Sequence, residues 1–267
     1  MTMAKLEDQV IAFDRHWARE PEAFLKQLMD KAVDGEELKF GITPFAVRFA
    51  RALTRDQSAS TGVLLRRFLA ASSHSDDPVW ALRFLAFLLD LCAEMPGNSE
   101  TTRRQILRIK AMHQAVGVVA PSPEEWRHER KVALALADVK DEEGPEGRAL
   151  EFASAVAWPL HLAMDEAAGA IGLLVDATLK AGMREAGIAD VSAEARQEYR
   201  ICSEEVVAMK AADPASPPVS AIDLFRAKRP RLVERADAQQ VFARVAVSEL
   251  VERIATEASM LCPNASA

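Results

Sequence analysis

The sequence is short of the residues that small, secreted or membrane-spanning folds depend on. Its 267 residues include three cysteines, Cys92, Cys202 and Cys262. They are an odd number, widely separated and without a CxxC pair, which argues against a disulfide framework or a zinc site and fits a reducing compartment. Glycine is scarce at 11 residues, tyrosine occurs once, and no run of alternating β-branched residues marks a strand. Long apolar runs are missing too. The two most hydrophobic stretches, 79–92 and 167–179, are interrupted by Arg83 and Asp176 respectively, and Asp165 and Glu166 precede the second. Neither matches the roughly 20 apolar residues of a membrane span, so both read as buried core helices.

Positive charge is also in deficit. A formal net charge of −7 removes the Lys and Arg surplus that non-specific phosphate binding needs, so nucleic acid is not an expected partner. The opening MTMAKLEDQVIAFD carries acidic residues where a secretion signal would be basic and then apolar, so a cytoplasmic, bacterial-type protein is expected. No glycine-rich phosphate loop, GxSxG elbow, HExxH or paired ExxH occurs. No catalytic residue, metal ligand or cofactor is assigned.

What is present is helix. The chain is 49% hydrophobic and 27% charged, near globular averages, and rich in alanine and leucine. Helical periodicity recurs with proline at first helical positions. Leu6, Val10, Phe13 and Trp17 share one face, and Pro21 opens a second helix that Gly35 ends. Thr43 and Pro44 open a third, aligning Phe45, Phe49 and Leu53, and Leu64, Leu65, Phe68 and Leu69 mark a fourth. Asp77 and Pro78 start an apolar helix expected to be surrounded by neighbours, Ser99 starts a basic one, and Ser122, Pro123 and Glu125 form a capping box. A turn at 141–147 precedes a short helix that Pro159 interrupts. The next is expected to reach Lys180, and Ser192 to cap another. Asp237 and Gln240 suggest a cap for the last helix, whose apolar face holds Val247, Leu250, Ile254, Ala258 and Leu261.

The expected fold is therefore all-α: an irregular multi-helix bundle or degenerate α-solenoid of about ten helices. Proline-marked starts at 21, 44, 78 and 123 are unevenly spaced, so a strict repeat is not supported. The predicted organisation is a main bundle at 1–212, a proline-rich linker at 213–219, and a C-terminal helical segment at 220–267 docked on the bundle or on a second subunit.

Four constellations bear on chemistry. On the helix after Pro159, His161, Asp165, Gly169, Gly172 and Asp176 fall on one face. Two interior glycines cost about 1 kcal/mol each relative to alanine, which suggests close helix packing or room for a ligand. Two carboxylates and a histidine beside such a gap suit a cation or small polar molecule, and Asp165 is spaced to orient His161 as a base. The plainer reading is a solvent face. Second, Arg103, Arg104, Arg108, Arg127 and Arg130 form a basic patch if their two helices adjoin, or else solvated faces balanced by nearby carboxylates. Third, Glu125 and His128 make a single ExxH, but Glu125 serves the capping box and His128 shares a stripe with Val132, Ala135 and Val139. Fourth, His113 lies on the stripe of Ile106, Ile109 and Val116, where a histidine is usually a hydrogen-bonded core residue.

The leading functional expectation is a non-enzymatic protein–protein interaction protein, in its more pointed form a bacterial immunity or antitoxin-like protein. The alternative is a helical small-molecule- or metal-binding enzyme or sensor using His161, Asp165 and Asp176. A transcriptional regulator is third. Homodimerisation stays open, because the seam of Ala195, Tyr199, Cys202, Val206 and Met209 suits packing within or between chains.

Overall fold

A computed structural model describes residues 45, 46, 48, 49, 68, 77–115, 120–140, 144–213 and 219–261. Among them the fold is all-α, with eight helices and no strand. The expected count of about ten included segments before residue 77 that, apart from helical residues 45, 46, 48, 49 and 68, lie outside the described residues. So does the linker stretch 214–218.

Helix α1 (Pro78–Ala93) begins as its sequence predicts: Asp77 accepts the Val79 N–H at 2.9 Å and Pro78 sits where no intrahelical N–H bond is needed. It is buried nearly all round. Phe84 lies at the centre of an aromatic cluster, stacked on Trp80 at 4.7 Å and edge-on to Phe45 and Phe49, with Phe68 beside it. Such pairs add about 1 kcal/mol each beyond the area they bury.

Helices α2 (Glu100–Gln114) and α3 (Pro123–Val139) start at Ser99 and Ser122. The Ser122 hydroxyl accepts the Glu125 N–H at 3.2 Å while Glu125 accepts the Ser122 N–H at 2.7 Å, the reciprocal pair of a capping box. Helix α4 (Pro145–Ala155) opens inside the stretch expected to be a turn, because Pro145 is itself a good first helical residue. Pro159 separates it from α5 (Leu160–Glu185) as anticipated. Helix α5 passes Lys180 and stops at a Schellman motif: Gly187 has φ +67°, its N–H donates to Arg184, and Ile188 donates to Met183.

Helix α6 (Ser192–Ala212) differs from expectation at its start. Ser192 is its first helical residue, and the carboxylate receiving the Ser192 N–H, at 2.9 Å, belongs to Asp190. Helix α7 (Ala221–Lys228) is capped by Ser220, and Arg229 separates it from α8 (Pro230–Met260). Asp237 is interior to α8 and caps nothing, since Pro230 already supplies the start.

The chain divides into two compact units, residues 1–178 with 247–267, and residues 179–246. In the first, Val247, Leu250, Ile254 and Ala258 of α8 are buried, as their spacing predicts, and the Trp80 indole donates to the Ala258 carbonyl at 3.3 Å. The second has a small core of Val191, Cys202, Phe225 and Leu232, flanked by Ala195, Leu224, Val233 and Ala236.

Candidate functional site

The His161 to Asp176 stripe lies on α5 as predicted. Its members do not converge on one point. His161, Asp165, Gly169 and Gly172 are exposed and Asp176 is half-buried. Asp165 pairs with Arg48, whereas Asp176 lies 3.3 Å from Arg148, which also holds Glu151 at 2.7 Å. No hydrogen bond joins His161 to Asp165. A Cβ added at Gly169 or Gly172 would meet nothing within 4 Å. Among the described residues the glycines therefore face open space, and no helix there comes close to them.

The five arginines are brought onto adjoining helices, since α2 and α3 are bridged by Arg108 and Glu129 at 2.8 Å. Their charges are largely matched by carboxylates. Arg103 and Arg104 both lie 3.5 Å from Glu100, and Arg127 lies 4.0 Å from Glu124. Arg130 instead lays its guanidinium over the Trp158 ring, 3.5 Å from the centroid. Burial and the nearby Arg127 lower its pKa, against the pull of Glu166.

The buried polar residues were the part least visible in the sequence. The face of α3 that goes inward carries Trp126, Glu129, Ala133 and Ala137. His128 and the Ala135 and Val139 of its assigned stripe are exposed instead, while Val132 is half-buried. Burying the large Trp126 ring outweighs burying the smaller side chains of the other face. That choice takes Glu129 inside, 3% exposed, where Arg108 and the Gln105 amide at 3.0 Å satisfy it. His113 is buried as its stripe predicted, against Trp126 and bonded to the Val156 carbonyl.

Glu146 ties α4 to the start of α2. It accepts the Ser99 N–H at 2.9 Å and the hydroxyls of Ser99 and Thr102, with Lys140 at 3.3 Å. Desolvation raises its pKa, but the bonds from Ser99, Thr102 and Lys140 prevail and hold it at about 2. These are structural joints. Among the described residues, no group of three or more His, Cys, Asp or Glu is placed to hold a metal ion, and no helix is long and apolar enough to cross a membrane.

Helix α6 carries a surface sorted by residue type. Its apolar positions 195, 199, 202, 206 and 209 repeat at alternating steps of four and three, the spacing of a helix that packs along another helix. Only Cys202 is fully covered. Tyr199 meets Phe225 edge-on yet stays 44% exposed, and Met209 is 52% exposed. Charge is sorted along the same helix. Glu194, Glu198 and Glu205 pair with Arg235, Arg229 and Lys228 of the α7–α8 segment. The other flank carries Arg196, Arg200, Ser203, Val207 and Lys210, with Glu204 3.8 Å from Arg200.

No family model matches the sequence, and neither a curated protein nor a solved structure matches it.

Proposed function

We propose that this chain is a non-enzymatic interaction protein, an irregular helical bundle that binds another protein through the 179–246 unit. The observation supporting it is an imbalance inside that unit. Its packed core is the small group around Cys202 and Phe225, while Tyr199, Ile201, Val207, Met209, Ile222, Val241 and Val245 remain exposed. Small units bury too little apolar surface to be stable with ease, and apolar side chains left exposed on such a unit are available to a partner. The pointed form of this reading is an immunity or antitoxin-like role, in which the face blocks an effector protein. Its support is the alanine-rich helical class alone.

Native pulldown with the full chain, compared with Met209→Asp, tests the interaction reading. A defined partner captured by the parent chain and lost with the variant is the expected result. Identical recovery by both chains, or no partner in cells that naturally make the protein, rejects it. A partner with toxic activity relieved by the chain would support the immunity form.

A further inference from the structure

We propose that residues 179–246 open and close as a cooperative unit of their own while residues 1–178 and 247–267 stay folded. The opening is a property of the chain alone and does not rest on the interaction reading. For that reading it has a consequence: whatever binds the closed unit draws it towards closure by mass action.

The first support is topological. The unit is one uninterrupted stretch of chain, entered through the end of α5 and left through α8. Both of its ends are anchored outside it. Leu174 and Ala177 are buried on the α5 side, and Val247, Leu250 and Ile254 are buried on the α8 side, where the Trp80 indole also donates to the Ala258 carbonyl. Unfolding 179–246 therefore melts the end of α5 and the start of α8 and leaves both anchors in place. What remains is a tethered loop, and the entropy of closing a loop rises only slowly with its length.

The second support is the size of the core. Among its described residues the unit buries Ala181, Met183, Val191, Cys202, Phe225 and Leu232, of which only Phe225 is aromatic. By contrast α1 alone, the helix of Cys92, buries Trp80, Phe84, Leu85, Leu88 and Leu89. Hydrophobic stabilisation scales with the apolar area removed from water, so the smaller core is the first to open. Ion pairs do not make up the difference. Those joining α6 to the α7–α8 segment are exposed or half-exposed, and such pairs add little. Regions with few buried apolar contacts open at a lower cost than the whole fold.

The test uses the full chain with its own cysteines as reporters. Cys202 is buried in the core of this unit and Cys92 is buried on α1, so each reacts with N-ethylmaleimide only when its surroundings open. Mass spectrometry of the digested chain reads the two rates. Cys202 is expected to react at least about tenfold faster than Cys92. Phe225→Ala should speed Cys202 by about a further tenfold or more and leave Cys92 within about twofold of its rate in the parent chain. A variant too damaged to close the unit still decides the matter, because Cys202 then reacts as a free thiol while Cys92 stays protected. Hydrogen exchange in sub-denaturing urea should show α6 and α7 exchanging together, at a rate that climbs with urea, since a cooperative opening exposes surface. A ratio of Cys202 to Cys92 below about tenfold, equal acceleration of both by Phe225→Ala, or exchange of α6 that does not respond to urea overturns the proposal. None of these results touches the interaction reading, which the native pulldown tests by itself.

Discussion

His113 donates from Nε2 to the Val156 carbonyl oxygen 3.0 Å away, which leaves its Nδ1 buried with no hydrogen-bond partner. Burial pushes its pKa down to about 4, against the carbonyl bond, which favours the charged ring. Between pH 6.5 and 4 the unfolded chain thus binds a proton here that the folded chain does not. Stability contributed by the neutral ring is complete above pH 6.5 and is lost as pH falls towards 4. The loss is on the order of 3 kcal/mol. Urea unfolding measured across this range should show the decline in the parent chain and a flatter profile in His113→Gln, whose amide can still donate to Val156. Parallel profiles would remove His113 as the source.

Glu129 is a different case, because it is buried and charged with both of its partners in place. Arg108→Ala strips the cation and leaves the carboxylate facing only the Gln105 amide. A buried charge without its partner costs roughly 3 kcal/mol, far more than the loss of an exposed arginine. Arg104→Ala, which removes only a 3.5 Å contact with the exposed Glu100, should cost under about 1 kcal/mol. Urea midpoints of the two variants check the contrast; equal midpoints would place Glu129 outside the energetics of the α2–α3 joint.

These two cases show what the sequence could and could not convey. Caps are local, so Asp77, Ser99 and Ser122 were legible from a few neighbouring residues. The apolar faces of α1 and the end of α8 were legible from period alone. Which of two weak stripes on α3 turns inward was not, because Trp126 decides it by contacts with His113 on another helix. Glu129 follows from that choice and was hidden with it. Along α5 the spacing correctly put His161, Asp165 and Asp176 on one face, but spacing carries no information about Arg48 and Arg148, which reach two of them from elsewhere in the chain. The seam of α6 was visible, whereas its partial exposure depends on how far α7 and α8 extend over it.

Removing the Ser122 cap should measurably destabilise the start of α3. Ser122→Ala deletes the acceptor of the Glu125 N–H and leaves the Glu125 side chain holding one end of the reciprocal pair. The expected cost is about 1 kcal/mol. A thermal melt unchanged from the parent chain would mean that this first turn of α3 frays without consequence for the fold.

The glycines of α5 separate a solvent face from a site that needs the missing side chain. At Gly169 and Gly172 a Cβ meets nothing within 4 Å, so alanine fits and gains helix propensity. Each substitution should stabilise by up to about 1 kcal/mol. At Gly182 the added Cβ would stand 3.0 Å from Phe242 Cζ, so the ring must move and the gain shrinks or reverses. Chemical denaturation of the three single variants should rank Gly169→Ala and Gly172→Ala above the parent chain and Gly182→Ala below both. If Gly169→Ala or Gly172→Ala destabilises instead, those positions are packed against something, and the open face deduced for His161 to Asp176 is wrong.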